Sequence, residues 1–331
     1  MTKKIRWGIL STAKIGIQKV IPAIQNGSNS EVVAISSRNL EKARSAAKLL
    51  GIEKAVDSYN AILEDPNVDA VYNPLPNHLH IPWTLKAIQA GKHVLCEKPI
   101  GMHASEVENL ASEVQKHPEL KVMEAFMYRF HPQWIKVKSL VDSGVIGDVK
   151  TVHSIFTYNN PDPTNIRNIL EVGGGALMDI GCYVISFPRF IFGKEPKRVV
   201  GVIQRDPLLK TDCLTSGMLD FADGEFASFT CSTQLMPFQR TQILGSLGRI
   251  EIEIPVNTPS DKSTRIWLST KEKTEEISFP AVDQYQLQVE AFSNAIQDDD
   301  AVPTNFSDAV NNMKVIDAIV ASAKNDAWCS L

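Results

Sequence analysis

Residues 5–16 read Ile5-Arg-Trp-Gly8-Ile-Leu-Ser11-Thr12-Ala13-Lys14-Ile15-Gly16, an apolar run that breaks into small and polar residues before a glycine. The run predicts a buried strand, and the small and polar residues after it predict a tight turn into a helix. A dinucleotide-binding turn would carry Gly-x-Gly-x-x-Gly at positions 11, 13 and 16, and only Gly16 is present. Gly16 permits close helix–strand packing, and the helix N-terminus still offers its N–H groups to a pyrophosphate. Ala13 adds one methyl group where backbone would approach phosphate. Ser11 is expected to keep its backbone out of left-handed geometry. These residues alone leave a plain strand–turn–helix and a dinucleotide turn equally open.

Working outward, strand-like segments at 31–36, 54–56, 70–73, 93–97 and 121–126 alternate with helix-like segments at 15–26, 40–50, 59–64, 81–90 and 105–117. Helix stops such as Asn26-Gly27, Gly51, Asp65-Pro66 and Gly91 separate them. This alternation predicts a parallel sheet covered by helices on both faces. The pattern then changes. After a helix at 132–143, strands are expected at 149–158, 198–204, 214–221, 226–233, 241–246, 249–254 and 265–269. One helix is expected among them, at about 175–192, and two close the chain at 285–297 and 307–323. The predicted fold class is α/β. A doubly wound parallel sheet occupies residues 1–126, and an α+β domain with an open, mainly antiparallel sheet occupies residues 127–331. Its last helices are expected to pack back toward the first domain.

A chain of 331 residues suits two domains of this kind. The formal charge of −4 argues against broad electrostatic capture of nucleic acid or an anionic membrane. No window approaches the apolar length that spans a bilayer, and the basic, briefly apolar start reads as a strand, not a signal peptide. Cys96, Cys182, Cys213, Cys231 and Cys329 are scattered, with neither zinc spacing nor a disulfide framework, so a reducing cytoplasm is the expected home. No metal site is expected. Asp298-Asp299-Asp300 reads as a solvated helix end, and no Gly-x-Ser-x-Gly elbow of a hydrolase appears.

The ends of the predicted parallel strands carry the chemistry. An enzyme that prefers NAD commonly has an acidic residue after the second strand. Here the chain has Ser36-Ser37-Arg38, with Lys42 one turn later. Ser37, Arg38 and Lys42 suit a 2′-phosphate, which predicts NADP, with NAD possible. After the fourth strand comes Asn73-Pro74-Leu75-Pro-Asn77-His-Leu-His80, a rigid polar loop on the edge where parallel sheets bind ligands. After the fifth comes Gly91-Lys-His-Val-Leu-Cys-Glu97-Lys98-Pro99.

With Glu97-Lys98-Pro99 the chain resembles the glucose–fructose oxidoreductase/inositol dehydrogenase family of NAD(P)-dependent sugar oxidoreductases. The resemblance extends to Met127-Tyr-Arg129-Phe-His-Pro132, Gly144-Val-Ile-Gly147 and Gly173-Gly-Gly-Ala-Leu-Met-Asp179-Ile-Gly-Cys-Tyr183. The glycine-rich segment is similar to the branch holding dimeric dihydrodiol dehydrogenase and NADP-dependent D-xylose dehydrogenase. The resemblance implies a Rossmann domain that holds the cofactor through Ser11, Thr12, Ala13, Lys14, Ile15, Ser37, Arg38, Lys42, Pro74, Leu75, Asn77, His80, Glu97, Lys98 and Arg129. It implies catalysis by Lys98, Asp179 and Tyr183, which also contact substrate together with Met127, Phe156 and Arg167. It implies a homodimer, or a tetramer, through the open sheet.

Residue chemistry agrees with these roles. Asp179 and Tyr183 are four apart on a predicted helix and share a face. A nearby ammonium lowers a tyrosine pKa, so Lys98 suits Tyr183 as the proton-exchanging group. The expected reaction is oxidation of an aldopyranose, such as D-xylose or glucose, at C1. Rivals are trans-dihydrodiol oxidation, reduction of a ketosugar such as 1,5-anhydrofructose, and hydride shuttling between two sugars. The last usually comes with an N-terminal arm, and this chain begins at its first strand. A nucleotide-binding sensor without turnover is the reading from another class. The altered glycine turn motivates it, and Lys98, Asp179 and Tyr183 argue against it.

Overall fold

The structure is a computed structural model that describes residues 3–331. Six short strands form the first sheet: β1 (Ile5–Ile9), β2 (Ser30–Ser36), β3 (Lys54–Val56), β4 (Ala70–Asn73), β5 (His93–Cys96) and β6 (Val122–Glu124). They lie in the order β3-β2-β1-β4-β5-β6, and every pairing is parallel. β4 and β6 are buried throughout and read as runs without alternation; Trp7 and Ile9 in β1 are fully buried. Helices connect them: α1 (Ile21–Asn26), α2 (Leu40–Leu50), α3 (Tyr59–Leu63), α4 (His80–Gln89) and α5 (Ala104–Val114). A Cβ at Gly8 would stand 2.4 Å from Ile62 Cγ2, so α3 packs closely on β1 because position 8 has no side chain.

The second sheet comes after α6 (Pro132–Asp142). It comprises β7 (Val149–Asn159), β8 (Arg198–Arg205), β9 (Asp212–Ala222), β10 (Glu225–Ser232), β11 (Gln234–Gly245), β12 (Gly248–Ile252), β13 (Thr264–Thr270), β14 (Thr274–Phe279) and β15 (Cys329–Ser330). Their order is β14-β13-β12-β11-β7-β10-β9-β8-β15. Within this sheet, among the described residues, only β7 and β10 pair in parallel. Helix α7 (Cys182–Phe192) lies within this unit, and α8 (Gln284–Gln297) and α9 (Phe306–Asn325) come after β14.

The chain divides into two units, residues up to Met127 with Asp283–Val310, and Tyr128–Val282 with Asn311–Leu331. The expected second domain, 127–331, thus has its residues 283–310 grouped with the first unit. Helix α8 belongs to the first unit because Phe292 packs on Trp7, with ring centroids 5.7 Å apart. Asn29 also donates to Glu290 O at 3.1 Å, and Ser30 and Ser293 hydroxyls lie 2.9 Å apart. The expectation of no membrane-length apolar window also needs correction. Leu170–Phe192 has a mean hydropathy of 1.3 over 18 residues, but 83% of that window is buried in protein.

Candidate active site

The parallel order reverses between β1 and β4, which opens a crevice at the C-terminal strand ends. At the end of β1, Leu10 N–H still donates to Tyr72 O, while Ile17 N–H donates to Ala13 O and begins the helical turn. The chain must reverse between them, and it does so at Ser11, whose φ is +88°. The expectation that Ser11 avoids left-handed geometry is therefore corrected. Its Oγ accepts from Ala13 N–H at 3.2 Å, a local bond that helps offset the strain. The next turn, Gly16–Val20, is π-helical. Thr12, Ala13 and Ile15 are half-buried and Lys14 is exposed.

Beyond β2, Ser37 is buried, and its Oγ accepts from Asn39 N–H at 3.3 Å. Asn39 caps α2 by accepting from Lys42 N–H at 3.0 Å. Arg38 and Lys42 are exposed, and no acidic residue lies between 36 and 40.

His80 is a second correction. Its place in the loop implies a cofactor contact, yet the ring is 1% exposed, with Nδ1 2.7 Å from Pro99 O and Nε2 2.6 Å from Leu75 O. It ties the Pro74–Asn77 loop to the Lys98-Pro99 loop. Burial pushes its pKa down to about 4, against the pull of the two carbonyls, which favour a doubly protonated ring. Glu97 is half-buried and accepts from the Tyr72 hydroxyl at 2.7 Å, so one of its oxygens serves the fold where a cofactor contact is expected. Lys98 is half-buried and precedes a cis peptide bond to Pro99. Pro74 and Leu75 are buried and Asn77 is half-buried.

In the second unit, the expected α-helix at 175–192 begins instead as a π-helical turn, Leu177–Gly181, before α7. Asp179 and Tyr183 thus stand on either side of a π/α junction, not on one regular α-helix. Such widened turns recur at functional sites. Asp212 fixes the start of this segment, accepting from Leu177 N–H at 2.6 Å and from Thr215 Oγ1 at 3.2 Å. Gly175 is required there: its φ is +126°, and a Cβ would fall 1.9 Å from Asp212 Oδ1. Burial raises the Asp212 pKa, opposed by the Leu177 N–H.

Asp179 is held from two sides. Arg167 Nε lies 3.0 Å from Oδ1, and the Tyr158 hydroxyl donates to Oδ2 at 2.6 Å. The resemblance implies Arg167 at substrate or cofactor, and the structure places it against Asp179. Tyr158 goes unmarked in the sequence, since a tyrosine on an alternating strand carries no signal of its own. Burial and then the Asp179 charge raise the Tyr158 pKa far above the usual phenol range, which keeps it a donor. Tyr183 is 5% exposed, and its ring centroid is 6.2 Å from both Phe156 and Tyr128. Phe156 is therefore against Tyr183. Met127 is buried at the end of the first unit. Arg129, expected at the cofactor, donates to Tyr128 Oη at 3.2 Å and Ser186 Oγ at 2.9 Å and stacks on Phe190. Its guanidinium is drawn into an aromatic cluster of the second unit.

The loops after β1, β2, β4 and β5 share one sheet edge. Their small residues, half-buried turn and exposed cations fit a dinucleotide. Among the described residues no group of three His, Cys, Asp or Glu could hold a metal ion.

Residues 5–126 match the family profile described as an oxidoreductase family with an NAD-binding Rossmann fold, and residues 134–251 match the GFO/IDH/MocA C-terminal domain. An uncharacterized oxidoreductase of Rhizobium meliloti is 41% identical over 98% of both chains. A D-xylose 1-dehydrogenase (NADP(+)) of Haloferax volcanii is 36% identical, covering 98% of this chain and 99% of that one. A solved 3-ketoreductase from Actinomadura kijaniata, in complex with NADP and TDP-benzene, superposes with a TM-score of 0.91 at 30% identity, covering 97% of this chain and 98% of that one.

Proposed function

The chain belongs to the GFO/IDH/MocA oxidoreductase family of NAD(P)-dependent sugar oxidoreductases, and from that premise we propose that it oxidises an aldopyranose such as D-xylose or D-glucose at C1, with NADP as acceptor. The observation that carries the reading is an Asp179 carboxylate braced by Arg167 and Tyr158, one turn from a Tyr183 packed on Phe156. Similarity to the D-xylose 1-dehydrogenase supports an aldose. Exposed Arg38 and Lys42, with no acidic residue between positions 36 and 40, support NADP.

The bound cofactor would supply nicotinamide C4 as hydride acceptor. Tyr183 takes the proton of the C1 hydroxyl as the hydride leaves C1, and the sugar becomes its lactone. A phenol with an ordinary pKa of about 10 is a weak base at neutral pH. A neighbouring ammonium favours the phenolate, and the family resemblance assigns that part to Lys98. Asp179 accepts a hydrogen bond from the neighbouring sugar hydroxyl, and Phe156 and Met127 give apolar surface.

Similarity to the 3-ketoreductase favours a second reading, in which Tyr183 donates the proton and a ketosugar is reduced. We further propose a homodimer through the second sheet. Val202, Met218, Phe226, Ile155 and Phe238 are exposed and lie on one face by their strand register. The test of function is initial rates with NADP and NAD across aldoses, inositols and trans-diols. Rates with NADP and an aldopyranose well above all others support the reading. Turnover confined to diols, or confined to ketosugar reduction, overturns it.

A further inference from the structure

Both oxygens of Asp179 are held by side chains from outside its own helical segment. Arg167 comes from the loop after β7 and lies 3.0 Å from Oδ1. Tyr158 comes from β7 itself and donates to Oδ2 at 2.6 Å. Such double, charge-assisted holding fixes both where a carboxylate points and that it is ionised. Asp212, buried below the start of the segment, is engaged by Leu177 N–H and the Thr215 hydroxyl. The buried Cys231 thiol is pushed far up and stays neutral, and Tyr158 itself is kept protonated. Cys182 donates weakly to the Asp179 carbonyl, at 3.6 Å, and not to the carboxylate. Tyr183 comes one turn later in the chain.

We propose that Arg167 and Tyr158 are positioning residues that hold Asp179 as an oriented, ionised acceptor, so that the site demands a hydroxyl group beside the carbon being oxidised. The inference rests on the reading of Asp179 as a substrate ligand. An ionised carboxylate accepts hydrogen bonds and donates none. A sugar lacking the neighbouring hydroxyl forfeits its bond to this half-buried carboxylate, and sites built this way reject such analogues strongly. Loss of Arg167 removes the opposing charge and raises the Asp179 pKa. Loss of the Tyr158 hydroxyl removes one bond to the charged form, with the same sign.

The test has two arms. In the first, the Asp179 carboxyl is titrated by carbon-13 NMR in aspartate-labelled protein and assigned with Asp179→Asn. Wild type is compared with Tyr158→Phe, Arg167→Lys and Arg167→Met. Its pKa is expected to rise by about one unit in Arg167→Met, the low end for a lost ion pair because Arg167 is 43% exposed. It is expected to rise in Tyr158→Phe also, and least in Arg167→Lys, which keeps the charge. In the second, kcat/KM for D-glucose and 2-deoxy-D-glucose with NADP is measured against pH. The acid limb is expected to move to higher pH in the same order, and Tyr158→Phe is expected to lower kcat/KM for D-glucose by roughly 10- to 100-fold. Its preference over the deoxy sugar should shrink together with that loss. An Asp179 pKa unmoved in Tyr158→Phe and Arg167→Met overturns the clamp. A moved pKa supports it even where wild type oxidises neither sugar, an outcome that refutes the functional reading alone.

Discussion

Tyr183 occupies 5% of its possible surface and has aromatic rings on two sides, so its position is set by packing. Tyr183→Phe keeps that packing and removes only the hydroxyl. We expect kcat to fall by about 10²- to 10⁴-fold, with NADP affinity unchanged by fluorescence titration. At this scale the sequence is legible where a residue type has few other uses. Glu97-Lys98-Pro99 and Asp179 with Tyr183 stand out in the bare string. Tyr158 does not, because only the fold brings strand β7 beside Asp179. His80 misleads in the opposite way: a histidine at a strand's end suggests a ligand, and its two ring bonds to carbonyls show a brace. His131 permits a pH prediction. It is fully buried at the N-cap of α6, and burial lowers its pKa to about 4. An exposed imidazole titrates near 6.5, so unfolding takes up a proton below that pH. Stability present above about pH 6.5 is therefore lost as pH falls, by about 2 kcal/mol from this residue at about pH 5. His131→Asn keeps a capping acceptor, and denaturant midpoints at pH 7 and 5 should differ less in it than in wild type.

Among the elements, α2, β3 and β4 end where their punctuation in the sequence ends them. Asn39 and Gly51 bound α2, and Gly51 adopts the left-handed cap that glycine suits. Two strands are hidden in the sequence for physical reasons. Edge strand β14 begins with Thr274, Glu275 and Glu276, all exposed, so it lacks an apolar alternation. Strand β15 is two residues long and exists only by pairing with β8. The π-helical turn at Leu177–Gly181 is equally hidden, since its start is bonded to Asp212, far along the chain. Gly175→Ala tests that connection. The added methyl would meet Asp212 at 1.9 Å on a backbone with φ +126°. We expect a loss of about 2–4 kcal/mol in denaturant unfolding, with a larger fall in turnover than in cofactor binding. Equal stability of the variant would show that the turn does not depend on this contact.

For the whole molecule, strand–helix alternation foretells the six-stranded parallel sheet, and strand-rich sequence foretells the second sheet. The assignment of α8 to the first unit is not legible to the residue, because it depends on the Trp7–Phe292 contact. The exposed apolar face of the second sheet is the largest feature that the single chain leaves to be explained. Sedimentation at micromolar concentration should show a dimer, and Ile155→Asp with Phe238→Asp should shift it toward monomer while each chain stays folded. A wild-type monomer under those conditions would contradict the assembly. The central claim is hydride transfer from a sugar's C1 to NADP, and C1-deuterated D-glucose or D-xylose tests it most directly. Incubation with NADP should give reduced cofactor carrying the deuterium, in step with lactone formation. Reduced cofactor without deuterium, or no reduction with either sugar, would contradict it.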